Sequence, residues 1–303
     1  MNETTHHPHG ETRGILYAGG AYFIWGLVPL YWALLRDVSP VEITLHRILW
    51  CALFGLIVTI ARGRFTHLVT VVRTPRLLGA LAASSLLITA NWTLYMYCVS
   101  TRQLVDAALG YYLTPLVSIA LGVVMLNEKI SRLRLAAIGL ALVAVGAEAF
   151  ALGHIPWVAP ALALTFGFYG YVRKLTPVDA LDGLTIETTL LLPITLVLVT
   201  LWALNGTGAF PSASLSRDAL IVFTGPLTAL PLVMFAAGAR RVRMTTLGFL
   251  QYLSPSITLI VATLVLGEPF TRANAIAFGL IWSALILVSL DGRVPMLTRR
   301  VAE

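Results

Sequence analysis

Glu42, His46 and Arg47 stand close together in "VEITLHRILW", a stretch that is otherwise mostly apolar. Positions i and i+4 share a helix face, so this carboxylate and imidazole can pair, and Arg47 follows at once. Such a trio can be a structural pair snorkelling at a membrane boundary. It can equally serve as a gate, as a handle for a carboxylate, or as a proton sensor through His46. Glu42, His46 and Arg47 are therefore the candidates for gating or coupling.

A second constellation is written twice. "YYLTPLVSIALGVVMLNEKIS" begins at Tyr111 and "QYLSPSITLIVATLVLGEPFT" at Gln251, and the two align without a gap at an offset of 140 residues. Tyr112 falls on Tyr252, Pro115 on Pro255 and Glu128 on Glu268. A proline inside a helix frees the carbonyl four residues earlier, here on Tyr111 and Gln251. A freed carbonyl cannot face lipid and calls for a polar cavity or a neighbouring helix. Tyr111, Tyr112, Gln251 and Tyr252 are thus candidate substrate contacts, with Pro115 and Pro255 as hinges. Two kinked, packed helices are the plainer alternative.

Further polar and aromatic groups lie at depth. "ITANWTLYMY" carries Asn91, Trp92 and Tyr95. A buried amide needs a partner, which is either a ligand or another helix. Trp25 lies deeper than Tyr31 and Trp32, which suit an interfacial aromatic belt. Tyr169 stands between Gly167 and Gly170 in "FGFYGYVRK", where small residues also suit close helix packing.

These residues need elements to hold them, and composition identifies the solvent. Hydrophobic residues make up 58% of the 303 positions and charged residues 12%, against roughly 45–50% and 25% in soluble domains. Mean hydropathy is +0.84. About 20 apolar residues cross a bilayer as a helix. Ten runs qualify, near 14–35, 41–61, 77–98, 105–126, 134–152, 156–172, 184–204, 218–238, 245–266 and 272–290. The net charge of +7 is then a matter of position rather than a nucleic-acid footprint. Of 21 Lys and Arg residues, 16 fall at the two termini and after the even-numbered spans, four on the other face, and Arg47 within a span. Positive-inside bias predicts cytoplasmic termini.

The two echoing segments are the fourth and ninth spans, so they run in opposite directions. The predicted fold is an all-α polytopic membrane protein, with ten transmembrane helices as two inverted-topology five-helix repeats around a central cavity. Residues 14–152 form the first repeat and 153–290 the second, flanked by a polar tail (1–13) and a basic tail (291–303). Inverted repeats suit alternating access.

Several chemistries lack their residues. No Cys/His spacing for a metal exists, Cys51 and Cys98 both lie in apolar runs, and no nucleophile–base pair or zinc-type His-Glu spacing appears at depth. Neither an enzyme nor a cofactor is expected. His6, His7 and His9 read as part of a disordered tail. Arg173 and Lys174 are expected to snorkel to the interface. Glu148 and Glu187 fall near helix ends, which counts against a proton pump built on a mid-membrane carboxylate. Glu128 and Glu268 end their helices and are expected to cap the following helix or to pair with Arg132 and Arg272.

"ILYAGGAYFIWGLVPLYW", "EITLHRILW", "ANWTLYMYCVS", "ALGYYLTPLVSIALGVVMLNEKISRLRLAAIGLALVAVG", "LTFGFYGYVRK" and "GFLQYLSPSITLIVATLVLGEPFT" together give the chain its likeness. It resembles the drug/metabolite transporter superfamily, of the EamA type, and most of all the RarD subgroup. That resemblance implies a cavity lined mainly by spans 1, 3, 4, 6, 8 and 9, and movement of small metabolites, often outward. The expected function is export across the inner membrane of small neutral or zwitterionic metabolites, aromatic or apolar amino acids first. The mechanism would be facilitator-like, and a proton-coupled exporter of drugs or amphipathic compounds is the alternative. The expected partners are a small-molecule substrate and the bilayer, not nucleic acid, and the reading suits a monomer or a homo-oligomer.

Overall fold

A computed structural model describes residues 8–100, 104–128, 130–152, 157–265 and 272–291, and these residues contain helices and no strand. The long helices are α1 (Pro8–Trp32), α2 (Pro40–Ala61), α4 (Pro75–Ser100), α5 (Leu104–Leu126), α6 (Arg132–Leu152), α7 (Val158–Leu175), α8 (Ala180–Leu204), α9 (Leu215–Ala239) and α12 (Arg272–Asp291). Shorter ones are α3 (Phe65–Val72), α10 (Met244–Leu250) and α11 (Leu253–Ile260), the last running into a π-helical turn over Val261–Val265. Among the described residues, seven segments are long and apolar enough to cross a membrane: Gly10–Leu35, Pro40–Ala61, Pro75–Tyr95, Arg132–Ala151, Ala180–Leu204, Leu215–Ala239 and Met244–Val265.

The helix starts follow from local chemistry. Pro40 occupies the first position of α2, where its missing N–H costs nothing. Asp179 caps α8 by accepting from Leu181 N at 3.1 Å, and Ser214 caps α9 by accepting from Arg217 N. Inside the helices, the hydroxyls of Thr44, Thr114, Thr165, Thr185, Thr188 and Thr195 donate to the carbonyl four residues back. Such back-bonding satisfies a polar group where water is absent.

The main apolar cluster joins α1, α2, α4, α7, α8, α9 and α10 through residues such as Tyr22, Ile48, Trp92, Tyr169, Leu184, Phe235 and Leu247. A second cluster joins α5, α6, α10 and α12 and contains both Tyr112 and Tyr252. Large apolar side chains, among them Ile57, Leu86, Val124, Phe150 and Leu204, stand outward and exposed. That is the pattern of a surface solvated by acyl chains.

Three expectations change. Residues 8–13, read as tail, belong to the start of α1. The connection after α2 holds the eight-residue α3, whose Leu68 and Val71 pack on Leu81, Val178 and Ile186. An amphipathic helix this short falls below the length that a search for spans detects. The ninth run is not one helix: it breaks at Gln251–Tyr252, between α10 and α11. Pro255 explains the break, because it lacks the N–H that would reach the Gln251 carbonyl. Pro115, by contrast, lies within a continuous α5.

Candidate functional site

Five aromatic rings from three helices pack on one another within the main cluster. Tyr22 and Trp25 of α1 meet Phe166 and Tyr169 of α7 and Phe235 of α9, with neighbouring centroids 5.2–6.0 Å apart. Trp25 contacts Phe166 edge-on at 5.6 Å, and Tyr169 stacks on Phe235 at 5.9 Å with planes 16° apart. Tilted and edge contacts suit the ring quadrupoles. Trp25 is half-buried whereas Tyr169 is enclosed.

Arg47 lies beside this cluster, against its member Trp92. Its Cζ stands 4.7 Å from the Trp92 ring centroid and 5.1 Å from that of Trp32, and its Nε donates to Thr228 Oγ1 at 3.1 Å. Side chains of α1, α2, α4 and α9 thus converge on one guanidinium. Glu42 and His46 face elsewhere. The Glu42 carboxylate accepts from Ala209 N and lies 3.8 Å from His46 Nε2, and the His46 ring meets Phe210 edge-on at 5.2 Å. The sequence-adjacent trio is therefore split between two faces of α2, as 100° per residue requires.

The other candidates divide three ways. Tyr95 and Tyr111 pair at 6.0 Å, and Tyr111 is 38% exposed. Gln251 accepts from Ser118 Oγ at 3.1 Å, and the Tyr22 hydroxyl lies beside it, which ties α10–α11 to α5 and α1. A Cβ on Gly248 would come 2.7 Å from the Pro115 carbonyl oxygen, so glycine there lets α10 approach α5 closely. Asn91 gives its amide hydrogens to Leu162 O and Thr165 Oγ1 of α7, at 3.0 and 3.1 Å, the role of interhelical glue. Tyr112 and Tyr252 are buried in the second cluster, away from the five rings.

Sequence reasoning missed a buried ionic group that touches the aromatic cluster through Tyr169. Arg173 and Glu187 are each 1% exposed, with Nε 3.5 Å from Oε1. Glu187 also accepts from Ser84 Oγ and from Tyr169 Oη, and Arg173 Nη2 donates to Ala180 O at 3.3 Å. Arg173 therefore does not snorkel, because Gly183 leaves room for its guanidinium; a Cβ there would fall 2.0 Å from Nη1. Glu187, read as a helix-end residue, is an enclosed carboxylate. Its one sequence signal is a glutamate standing in "LTIETTLLLP". Lys174 likewise turns inward, donating to the carbonyls of Ala239 and Val242 beyond the end of α9.

Glu128 caps a helix, though not the one that follows it. Its carboxylate accepts from Met244 N at 2.8 Å and Thr245 N at 3.0 Å, at the start of α10. Asn127, with φ +51°, turns the chain back, and Glu128 N closes on Gly122 O at 3.0 Å. Asparagine thus takes the left-handed position that usually ends a helix, with a closing bond one residue longer than the Schellman pattern. Glu268, and with it the second expected pairing, lies outside the described residues, as do His6 and His7. Cys51 is a buried free thiol.

The comparisons agree with this architecture. The EamA-like transporter family profile matches residues 12–147. An uncharacterised transporter of Pseudomonas aeruginosa, PA0485, is 42% identical over 92% of this chain and 94% of its own. The uncharacterised transporter YojE of Bacillus subtilis is 38% identical over 92% and 94%. Protein RarD of Escherichia coli is 36% identical over 93% and 95%. A solved crystal structure, 19% identical, superposes with a TM-score of 0.70 over 92% of this chain and 98% of that one, a likeness of fold alone. Full-length identity at this level, on an all-helical membrane architecture, makes the chain a multi-pass membrane transporter of the drug/metabolite transporter superfamily, EamA type, in its RarD-like branch.

Proposed function

We propose that the protein moves small neutral or zwitterionic metabolites outward across the inner membrane, with aromatic and apolar amino acids as the first substrates to test. In this reading ten spans form two inverted five-helix units, both termini are cytoplasmic, and the units rock about a midplane site. The observation that carries it is the aromatic cluster of Tyr22, Trp25, Phe166, Tyr169 and Phe235, drawn from helices early and late in the chain. Rings at this spacing offer a large apolar contact, and the half-buried Trp25 is the ring through which a substrate would enter. Tyr95, Tyr111 and Gln251 supply polar contacts around it; Asn91, Tyr112 and Tyr252 hold the helices that frame it. Pro115 and Pro255 act as hinge points.

Counterflow of labelled phenylalanine into proteoliposomes tests this. Flux in vesicles holding only this protein is the expected result, with Trp25→Ala lowering it at least fivefold while insertion is unchanged. No flux of any aromatic or branched amino acid would remove the substrate assignment. The second reading, proton-coupled export, draws support from the enclosed Glu187–Arg173 pair. Uphill efflux driven by a pH gradient alone, lost in Glu187→Gln, is its signature.

A further inference from the structure

We infer that Arg47 is a carboxylate-binding residue, so that the site takes molecules joining an apolar body to one carboxylate. The inference rests on the transport reading above and names its substrate class.

A guanidinium within an apolar bundle is costly unless an anion accompanies it. No described side chain supplies one to Arg47. On the elements around it, Asp37 pairs with Arg217, Glu42 accepts from Ala209 N, Glu187 is taken by Arg173 and Ser84, and Asp218 accepts from Ser212 N. The groups that act on Arg47 electrostatically are Tyr111, Tyr95 and Cys51, none of them a carboxylate. Other inward-turned cations are compensated: Arg173 has Glu187, and Lys174 has two carbonyls.

The geometry says which approach stays open. The guanidinium lies over the indoles of Trp32 and Trp92, which leaves its N–H groups to find polar partners elsewhere. Thr228 takes the Nε edge. No hydrogen bond runs from the two terminal nitrogens to a described residue, and the side chain as a whole is partly exposed. Their parallel N–H groups match a carboxylate bidentately. One positive charge with no second cation beside it fits a monoanion, and the aromatic cluster that continues from Trp92 fits the apolar remainder.

Trp32 and Trp92 flank the site, so their fluorescence reports occupancy. Purified full-length protein is titrated with L-phenylalanine, L-leucine and 3-phenylpropionate, then with phenylalaninamide and phenethylamine. At least one carboxylate should quench saturably and bind ten times or more tighter than the amide or amine. Arg47→Lys should weaken that binding at least tenfold, and Arg47→Gln should abolish the preference while the thermal unfolding profile stays cooperative. Equal binding of amide and carboxylate by the unmutated protein overturns the inference, which needs no variant to fold. So does failure of every carboxylate to bind, or a preference that survives Arg47→Gln. Counterflow separates the two claims. Arg47-dependent binding without flux removes the transport reading alone; flux with no carboxylate preference removes this inference alone.

Discussion

Arg173 and Glu187 form an ion pair that depends on a missing atom, the Cβ of Gly183. Removing one member of a buried pair strands the other, at a cost of about 3–5 kcal/mol, whereas replacing both with apolar residues is often neutral. Glu187→Gln and Arg173→Met should therefore each lower the thermal midpoint sharply in detergent. The double variant Arg173→Met/Glu187→Leu should recover at least half of that loss. Gly183→Ala should mimic the single variants, because the methyl would displace the guanidinium. None of this could be read locally: Arg173 looks like a helix-end snorkeller because its partner and its space lie beyond the next turn. Arg47 misled in the opposite way. Adjacency grouped it with His46 and Glu42, but one residue of helix rotation carries it to another face, toward Trp32 and Trp92.

Among the elements, the two proline-bearing helices do not behave alike. α5 runs unbroken through Pro115, while α10 and α11 part at Gln251–Tyr252 ahead of Pro255. The sequence likeness between the segments is real, and their packing around Ser118–Gln251 and Gly248 brings them together. What the likeness could not tell is that one proline would be absorbed and the other would open the helix. Pro255→Ala should restore the Gln251 carbonyl bond and slow counterflow at least fivefold. Pro115→Ala, in a helix that stays unbroken, should slow it too, but by less than Pro255→Ala does. The Glu128 cap on α10 is a separate test of element stability. Glu128→Ala leaves Met244 N and Thr245 N unpaired at a helix N-terminus and should cost about 1–2 kcal/mol, read as a lower thermal midpoint.

Over the whole molecule, polar ties gather near the junction of α7, α8, α9 and α10. Arg64 and His67 both bind Asp182, at 2.8 and 2.7 Å. Arg240 reaches Val178 O at 2.7 Å. Gly14 of α1 lies where a Cβ would come 2.7 Å from that of Arg241, and Gly238 of α9 meets Ala18 backbone to backbone. Gly14→Ala should therefore push α1 off the end of α9 and lower the thermal midpoint in detergent. An unchanged midpoint would mean that the close approach contributes nothing to stability. The helical membrane architecture was plain from composition and apolar run length, since lipid imposes both. The ties at this end were not, because each joins residues distant in sequence, and that of Arg240 ends on a backbone carbonyl any residue type could supply.

The Glu128 bridge also acts as a clock. It joins the end of α5 to the start of α10, so any motion that parts those ends must first break both N–H···carboxylate bonds. A cap worth about 1–2 kcal/mol, lost without replacement, corresponds to a delay of roughly 5–30-fold in the crossing rate. A residue that never touches cargo would then set how often the molecule turns over, and weakening it would trade durability for speed.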